Sequence, residues 1–175
     1  MALKVGDTLD LGPLGFTLLV RKTAAETGGD AFETEMVIAP HSAGMSIHVH
    51  PSAIETYDVL AGTVDIYIDG AWKSIATGQR VGVPRGMPHA FRNSSRAPAR
   101  VYNTHKPALR YEEYFQGLWR IVQSGLVTPG HKTWQAMLAT SALITAYPEE
   151  IRSVSPPGFV VQALGTFGQW LGYGP

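Results

Sequence analysis

The chain has 175 residues, which is enough for one ordinary domain with a sizeable apolar core. Its 14 Lys and Arg residues balance 14 Asp and Glu residues, and no segment concentrates basic side chains, so we expect no nucleic-acid partner. Because the chain has no cysteine, it can form no disulfide or thiolate site, and any bound metal requires His and carboxylate ligands.

Neither end of the sequence has the pattern of a secretory or membrane-spanning segment. Residues 1–12 contain no continuous apolar stretch like that of a signal peptide. Residues 153–175 carry no charged side chain, but Pro156, Pro157 and five glycines interrupt a run that must reach about 20 apolar residues to cross a bilayer. We therefore predict a cytoplasmic protein without a membrane partner.

Residues 16–107 show the pattern of an all-β barrel or sandwich, in which short strands alternate with turn residues. Asp69 and Gly70 predict a two-residue type I′ turn between two of the strands, because glycine tolerates the positive φ that this turn requires. The predicted strands are 16–22, 32–39, 47–50, 55–60, 63–68, 71–75, 80–84, 89–93 and 99–105.

After Pro107 the apolar pattern changes from the period of a strand to that of a helix. We predict one helix that ends near Gly125 and a second between Pro129 and Pro148. An apolar stripe at helical spacing predicts a third helix, although two glycines lie inside it. The stripe consists of Val160, Leu164, Phe167 and Leu171.

These patterns predict two parts of unequal character, without an internal repeat or a low-complexity linker. We expect a β domain over residues 1–110 and a helical extension over residues 111–175 that packs on it. Packing on the outer face of the barrel is the simplest interpretation, and a lid over its mouth and a dimer contact are the alternatives. Trp119, Trp134 and Trp170 are predicted to anchor the packing.

The segment GMSIHVHPSAIETYDVLAG, residues 44–62, places two histidines and a glutamate in a largely apolar, strand-like stretch. His48 and His50 are two residues apart, so both point to the same face of a strand. Pro51 and the small residues after it turn the chain, and Glu55 begins the next strand. The carboxylate can therefore meet both imidazoles across a hairpin.

These residues resemble the first motif of the cupin superfamily, G-x5-H-x-H-x(3,4)-E-x6-G, through His48, His50, Glu55 and Gly62. A later segment resembles the second motif, G-x5-P-x-G-x2-H-x3-N, at every defined position: Gly78, Pro84, Gly86, His89 and Asn93. One departure is Ser42 at the place of the first glycine, with Gly44 two residues later. The resemblance covers residues 42–105.

The resemblance implies an antiparallel β-barrel, or jelly roll, that holds one divalent transition metal through His48, His50, Glu55 and His89. Three imidazoles and a carboxylate also suit Fe, Mn, Ni, Co, Cu or Zn by their ligand chemistry. Burying them without a metal or hydrogen-bond partners would cost on the order of several kcal/mol. The alternative interpretation is a vestigial site lined by ordinary barrel residues.

A substrate pocket is predicted beside the ligands, lined by Met36, Ile38, Tyr57, Phe91 and His105. Glu55 and Tyr57 are the candidates for catalysis, because a Glu-x-Tyr pair resembles the arrangement in some cupin lyases. Ordinary packing is the alternative that we favour for this tyrosine. His105 could approach the pocket, although a satisfied or exposed histidine is the interpretation that we favour. Asn93 is predicted to satisfy backbone groups at a turn.

Three functions are compatible with such a site. We prefer an O2-dependent dioxygenase that resembles the quercetinase-like monocupins and acts on a small, largely apolar or aromatic molecule. The second is a non-redox lyase, cyclase or isomerase in which the metal acts as a Lewis acid. The third is a small-molecule-binding barrel with a structural metal and no turnover. We expect a homodimer, because cupin barrels frequently pair through edge strands.

Overall fold

The computed structural model describes residues 2–128 and 131–174, and for residues 131–132 it describes the backbone alone. Strands fill most of the chain before residue 107, with one short 3-10 helix at Gly12–Leu14. The strands are β1 Thr8–Leu11, β2 Phe16–Lys22, β3 Phe32–Ile38, β4 His48–Val49, β5 Ile54–Ala61, β6 Thr63–Ile68, β7 Ala71–Ala76, β8 Arg80–Val83, β9 Ala90–Arg92 and β10 Ala99–Lys106.

All the segments that were predicted as strands are confirmed, and β1 is an additional strand. Its sequence, TLDL, is short, but its two leucines are buried and its polar residues are exposed. Leu9 pairs with Leu18 of β2, and Leu11 pairs with Phe16. β1 therefore covers the edge of β2 with the alternation that a half-buried strand requires.

Six strands form an antiparallel sheet in the order β1-β2-β3-β10-β5-β8. Side chains alternate along β10, so that Val101, Asn103 and His105 are all buried on its inward face. Asn103 lies opposite Tyr57 of β5, and His105 lies opposite Glu55. The sheet thus places its inward polar side chains in neighbouring cross-strand rows.

The opposite wall of the barrel is a three-stranded antiparallel sheet in the order β7-β6-β9. Asp69 and Gly70, with φ of 53° and 77°, join β6 to β7, so the predicted type I′ turn is confirmed. Beside β9, His48 and His89 exchange two backbone hydrogen bonds of 3.0 and 2.9 Å. This bridge connects β4 to the second sheet.

Helices follow the barrel, so the predicted fold class, mainly antiparallel β with a C-terminal helical region, is confirmed. The boundary at residue 110 stays a prediction. In the described ranges 2–128 and 131–174, no helix has the length and apolar character needed to cross a bilayer. The elements are α1 Tyr111–Gln123, β11 Val127–Thr128, β12 His131–Lys132, α2 Trp134–Ala146, β13 Arg152–Ser153 and α3 Gly158–Trp170.

α3 packs against α2 through a face that contains two glycines. The buried residues of α3 are Val161, Gly165 and Gly168. A Cβ atom at Gly165 would lie 2.6 Å from the carbonyl oxygen of Ser141, and one at Gly168 would lie 2.8 Å from that of Leu138. Glycine is therefore required where the two helix backbones approach most closely.

The predicted apolar stripe of α3 is consequently wrong as a packing face. Phe167 and Leu171 are 51% and 43% exposed, because the glycine face turns them toward solvent. Two of the three predicted tryptophan anchors are wrong for the same region, since Trp134 is 58% and Trp170 is 78% exposed. Trp119 packs against the core as predicted.

Candidate metal centre

Three histidine rings converge where β4 meets the start of β9. The ring centroids of His48 and His89 are 4.3 Å apart, and that of His50 lies 4.9 Å from both. All three side chains are buried. His48 and His50 face the same side of the chain, as the alternation along a strand predicts, and the His48–His89 bridge brings in the third ring.

One ring nitrogen of each histidine contacts a backbone carbonyl oxygen. In His48 and His89, Nδ1 lies 2.8 Å from the carbonyl oxygen two residues earlier in the chain. In His50, Nδ1 lies 2.5 Å from the carbonyl oxygen of Glu150. Because a carbonyl oxygen only accepts, each Nδ1 carries the hydrogen and each Nε2 keeps a lone pair. Three Nε2 atoms are thereby available as metal ligands.

Glu55 is a buried carboxylate whose two oxygens face different partners. Its Oε2 lies 2.8 Å from His89 Nε2 and 3.2 Å from His50 Nε2. Its Oε1 accepts a hydrogen bond of 2.8 Å from Nδ2 of Asn103. Asn103 therefore holds one oxygen and leaves the other directed at the histidines. The four side chains that could share an ion, His48, His50, Glu55 and His89, have ligand atoms within 4.8 Å of one another.

The chemistry of this cluster fits a metal ion. His50 Nε2, His89 Nε2 and Glu55 Oε2 are buried without a hydrogen-bond partner in the structure, although nearly all buried polar atoms in native proteins have one. Neighbouring ligands with bonds of about 2.1 Å lie about 3 Å apart around an octahedral ion, close to the spacing of Oε2 from the two Nε2 atoms. The cluster could bind a divalent metal, and its nitrogen and oxygen atoms suit several first-row metals.

The charges in the site favour the protonation states of metal ligands. Burial alone would raise the pKa of Glu55, but His105, His50 and His89 together hold it well below its usual range. Burial lowers the pKa of His48 well below its usual value, and the neighbouring imidazoles lower it further. Burial opposes protonation of His89, yet the Glu55 carboxylate, whose Oε2 lies 2.8 Å from His89 Nε2, raises the pKa of His89 overall. An ionised carboxylate thus lies beside a neutral His48.

His105 is buried beside the cluster and is not exposed, and its predicted place in a substrate pocket stays a prediction. Its Nε2 lies 3.4 Å from Glu55 Oε1, and its Nδ1 is buried without a partner. The ring lies 4.0 Å from the ring of Tyr111. Burial lowers the pKa of His105 to about 3, against the effect of Glu55. The cross-strand pairing with Glu55 explains why this histidine reaches the site.

The other predicted pocket residues belong to the buried core of the barrel, and their role as a substrate pocket stays a prediction. The Tyr57 hydroxyl is buried without a hydrogen-bond partner. Burial, followed by the charge of Glu55, raises the pKa of Tyr57 well above its usual value. The rings of Tyr57 and Phe91 are 6.3 Å apart, and Met36 and Ile38 are buried in the same core.

The predicted structural role of Asn93 is confirmed. This side chain is fully buried, and its Nδ2 donates to the carbonyl oxygens of Ile38 at 3.1 Å and Ala97 at 2.8 Å. Its Oδ1 accepts a hydrogen bond of 3.0 Å from the backbone N–H of Ser95. Asn93 therefore fastens the turn before β10 to the end of β3.

The departure from the first motif has a structural reason. Gly44 has a φ of 64°, and a Cβ atom there would lie 1.8 Å from the carbonyl oxygen of Phe91. The backbone N–H of Gly44 donates to the hydroxyl of Ser42 at 3.2 Å. The close approach that demands glycine therefore lies at position 44, and Ser42 supports the turn that leads to it.

Sequence reasoning missed three residues that contact the cluster: Asn103, Tyr111 and Glu150. A signal for Asn103 was present, because Val101, Asn103 and His105 are every second residue of β10 and therefore share one face of the strand. Tyr111 opens α1, and its ring lies 5.4 Å from that of His50. No local pattern indicates Glu150, which lies 100 residues from its partner His50.

Comparison with known proteins identifies the family. A sequence profile of the cupin domain matches residues 34–105, a range that contains the whole cluster. Residues 34–105 of the protein are a cupin domain. Solved structures that resemble this cupin include KdgF from Halomonas sp., at a TM-score of 0.51 and 16% identity over 58% of this chain and 86% of that one. Another is a predicted oxalate decarboxylase from Thermotoga maritima, at a TM-score of 0.50 and 17% identity over 53% and 80% of the two chains. At these identities the likeness shows the fold alone.

Curated relatives of this cupin match over short stretches. Quercetin 2,3-dioxygenase of Bacillus subtilis (strain 168) is 30% identical over 78 residues, which are 45% of this chain and 23% of that protein. Protein SchB of Streptomyces halstedii is 33% identical over 84 residues, 48% of this chain and 59% of that protein. Mannose-1-phosphate guanylyltransferase of Escherichia coli (strain K12) is 27% identical over 70 residues, which are 40% of this chain and 15% of that protein. The chain thus matches less than two thirds of the length of each relative.

Proposed function

We propose that this cupin is a metal-dependent enzyme that acts on a small, largely apolar or aromatic molecule, with dioxygenase chemistry as its reaction. The observation that carries the metal is the pairing of each histidine Nδ1 with a carbonyl oxygen, which leaves the Nε2 atoms facing a buried carboxylate. In this proposal His48, His50, Glu55 and His89 are the ligands of one divalent transition metal: Fe, Mn, Ni, Co, Cu or Zn.

The chain's own groups orient these ligands. Bound here, a metal of this series supplies Lewis-acid or redox chemistry to an oxygen-containing substrate. Asn103 donates to Oε1 of Glu55 and His105 lies 3.4 Å from the same oxygen, so the carboxylate is oriented from one side. The neutral hydroxyl of Tyr57 can donate a hydrogen bond or a proton to a bound substrate.

The interior beside the ligands supports an apolar substrate with few polar groups. Met36, Ile38 and Phe91 are buried in the core and would exclude water from the reacting atoms. Two hydroxyls, those of Thr34 and Tyr57, are buried without hydrogen-bond partners. A phenolic or carbonyl substrate offers the hydrogen-bonding groups that these hydroxyls lack.

The relative named quercetin 2,3-dioxygenase supports the oxygen-dependent reaction. A dioxygenase forms bonds from both atoms of O2 to the substrate, and the substrate provides the electrons that reduce O2. No external reductant is therefore required. The same chain can host such a reaction only if the substrate and O2 reach the histidine cluster together.

A non-redox reaction is the second candidate, and the position of Tyr57 favours it. This tyrosine lies two residues after Glu55 on the same strand face, and its hydroxyl has no hydrogen-bond partner among the described residues. A lyase, cyclase or isomerase needs such a group to move a proton at the substrate while the metal polarises it.

Metal content of the untagged protein, measured by mass spectrometry, tests the metal site. We expect one equivalent in the wild type, and its loss in His50→Ala and His89→Ala. His41→Ala is the matched control, because His41 is exposed in a loop outside the cluster. Unchanged metal stoichiometry in both cluster variants contradicts the proposal.

Oxygen uptake with a panel of flavonoids and simpler phenols tests the reaction. We expect substrate-dependent consumption of O2, with two 18O atoms in each product molecule when 18O2 is supplied. Turnover of the metal-loaded protein without O2 consumption would establish the non-redox reaction instead. Saturable binding of a panel member without product would identify a binding protein.

A further inference from the structure

A backbone carbonyl oxygen of the helical region contacts the side chain of one candidate metal ligand, His50. We propose that Tyr111 and Glu150 are positioning residues for His50, so that metal affinity depends on residues outside the segment that matches the cupin domain. This inference rests on the proposed metal site and extends it beyond residues 34–105.

The carbonyl oxygen of Glu150 accepts two hydrogen bonds in the interior. His50 Nδ1 donates one at 2.5 Å, and the hydroxyl of Tyr111 donates the other at 2.8 Å. Glu150 is 3% exposed and Tyr111 is fully buried, so water does not compete for this oxygen. The carbonyl thus selects the tautomer of His50 and the orientation of its ring.

Independent contacts fix the position of this carbonyl. The side chain of Glu150 accepts a hydrogen bond of 3.0 Å from the backbone N–H of Arg110, just before α1. At the preceding residue, the carbonyl oxygen of Glu149 accepts a hydrogen bond of 3.3 Å from the backbone N–H of Ser52. After Glu150, β13 pairs with β4, which carries His48. Glu150 is therefore held between α1 and the strand of the ligands.

His50 differs in this respect from the two other histidines. The acceptors for His48 and His89 are two residues away in their own segments, so local backbone geometry supplies them. The acceptor for His50 is 100 residues away, and it stays in place only while the helical region is docked. Loss of an outer hydrogen-bond partner of a metal-bound histidine typically weakens metal affinity by about 10- to 100-fold.

Two substitutions test this coupling, and each has a matched control. Tyr111→Phe removes the hydroxyl but keeps the ring that packs on His105, and Tyr102→Phe removes a hydroxyl that donates to Glu33 away from the site. Glu150→Ala removes the acceptor for a backbone N–H. Glu112→Ala, the control, does the same at the backbone N–H of Ala24.

Metal affinity, measured by competition with a chromophoric chelator, and the visible spectrum of the Co(II)-loaded protein are the two measurements. We expect about 10- to 100-fold weaker binding and a changed spectrum in Glu150→Ala, a smaller change in Tyr111→Phe, and none in either control. Thermal unfolding of the same samples shows whether each variant folds. If Glu150→Ala does not fold, the metal affinity of Tyr111→Phe tests the positioning role.

The outcomes separate this inference from the proposed function. If the wild type binds no metal, or if both His50→Ala and His89→Ala bind it normally, both proposals fail. If the wild type binds metal, His50→Ala loses it, and the folded Tyr111 and Glu150 variants bind it with wild-type affinity and spectrum, only the positioning role is overturned.

A different observation, an exposed apolar surface on α2 and α3, carries a second inference. We infer that this surface is the contact between two copies of the chain. Phe159, Phe167 and Trp170 are 74%, 51% and 78% exposed, and Trp134 is 58% exposed. The aromatic surface, as we define it, consists of Trp134 and Met137 of α2 and of Phe159, Phe167, Trp170 and Leu171 of α3.

The packing of the two helices brings the end of α3 level with the start of α2, whereas Phe159 lies at the other end of α3. Gly168 of α3 lies against Leu138 of α2, and Gly165 lies against Ser141, so the helices run antiparallel. Residues after 168 therefore approach the level of Trp134, which shares the face of Leu138 and Ser141 at helical spacing. The rings of Phe167 and Trp170 stack at 5.8 Å.

Area and charge favour a second copy as the occupant. Aromatic side chains present about 150–250 Å² each, so the exposed parts of the rings of Trp134, Phe167 and Trp170 offer roughly 400 Å², about half of the roughly 800 Å² that each partner contributes to a standard interface. Residues 153–174 carry no charged side chain, so a two-fold contact brings no like charges together. Helices that bind membrane surfaces typically carry Lys or Arg on their polar face, which α3 lacks.

Light scattering coupled to gel filtration tests this contact. We expect a dimer for the wild type at micromolar concentration and a monomer for Trp170→Glu and Phe167→Glu. Val5→Glu is the control, because Val5 is an equally apolar residue, 49% exposed, outside the aromatic surface. A monomeric wild type, or dimers that persist in both variants, overturns the inference. So does a monomeric wild type that sediments with phosphatidylcholine vesicles, which would identify lipid as the occupant.

Discussion

The barrel and the helical region differ in how their contacts are distributed along the chain. In the barrel, His48, His50 and Glu55 lie within eight residues, and strand alternation directs them to one side. In the helical region, the decisive contact joins the carbonyl oxygen of Glu150 to the side chain of His50, 100 residues away. The difference shows that a site built from neighbouring side chains is predictable, whereas one built from distant carbonyl oxygens requires the structure.

The largest expected effect in either region is the loss of kcat in Tyr57→Phe, a substitution in the barrel. Tyr57→Phe removes a hydroxyl that has no hydrogen-bond partner in the part of the chain that the structure describes, so metal content and thermal stability should not fall. If this hydroxyl handles a proton of the substrate, kcat drops by about 10²- to 10⁴-fold. Steady-state kinetics on the substrate found in the oxygen-uptake panel measures this drop, and wild-type kcat would leave Tyr57 as a packing residue.

Asn103 sharpens the comparison, because it orients Glu55 from within the barrel. Asn103→Ala leaves Oε1 of Glu55 without the 2.8 Å hydrogen bond, and metal affinity should weaken by about 10-fold or more. Thr104→Ala, at the next position of β10 and on the opposite face, is the control. Chelator competition measures both, and equal affinities would show that Glu55 needs no support from Asn103.

The contact between α2 and α3 tests whether the helical region can be weakened without disturbing the metal. Gly165→Ala places a methyl group against Ser141, and we expect a loss of about 1–3 kcal/mol in the free energy of unfolding. Gly158→Ala, where the nearest atom is 3.5 Å from the added Cβ, should be neutral.

Urea unfolding and metal titration of the same two variants check this expectation. We expect metal affinity to be unchanged in both, because neither glycine contacts Glu150. Weaker metal binding in Gly165→Ala alone would show that the two regions respond as one unit.

The smallest effect concerns the outer face of the six-stranded sheet. A hydrogen bond from Arg21 lowers the pKa of Glu35 from its usual value of 4.5, against the effect of burial, and Arg100 lowers it further. Since the folded state binds this proton less tightly than the unfolded state, the stabilisation is present above pH 4.5 and is lost as the pH falls through the lowered pKa.

Glu35→Gln measures this contribution. Between pH 6 and pH 3, the variant should lose less of its free energy of unfolding, measured with urea, than the wild type loses. The difference should be under about 1 kcal/mol, because the side chains of both arginines are about half exposed and solvent screens the two ion pairs. Identical pH dependence in the two proteins would show that the Arg21 and Arg100 pairs contribute nothing measurable.

The cupin motifs predicted the fold and the four candidate ligands, because each motif residue has a fixed place on a strand or turn. The same reasoning could have predicted Asn103 and His105, since both lie on the same face of β10 as the buried Val101. Their meaning depends on register, and only the pairing with β5 places them opposite Tyr57 and Glu55.

The helical region was harder to predict for two physical reasons. Apolar residues such as Phe167 and Trp170 predict burial, but in α3 the close approach to α2 uses Gly165 and Gly168. A glycine pair has no hydrophobic signal, so the wrong face was chosen. The contact of Glu150 with His50 uses a carbonyl oxygen that every residue possesses, so no side-chain pattern could indicate it.

The 100 residues that separate His50 from Glu150 also impose an order of events during synthesis. A ribosome that adds about 5–20 residues per second reaches Glu150 about 5–20 s after His50. Once His89 has been added, the nascent chain has all four candidate ligands but still lacks the carbonyl oxygen that orients His50. The high-affinity form of the centre is therefore completed only after Glu150 has been added and the helical region has docked, so a newly made chain should load metal after that step.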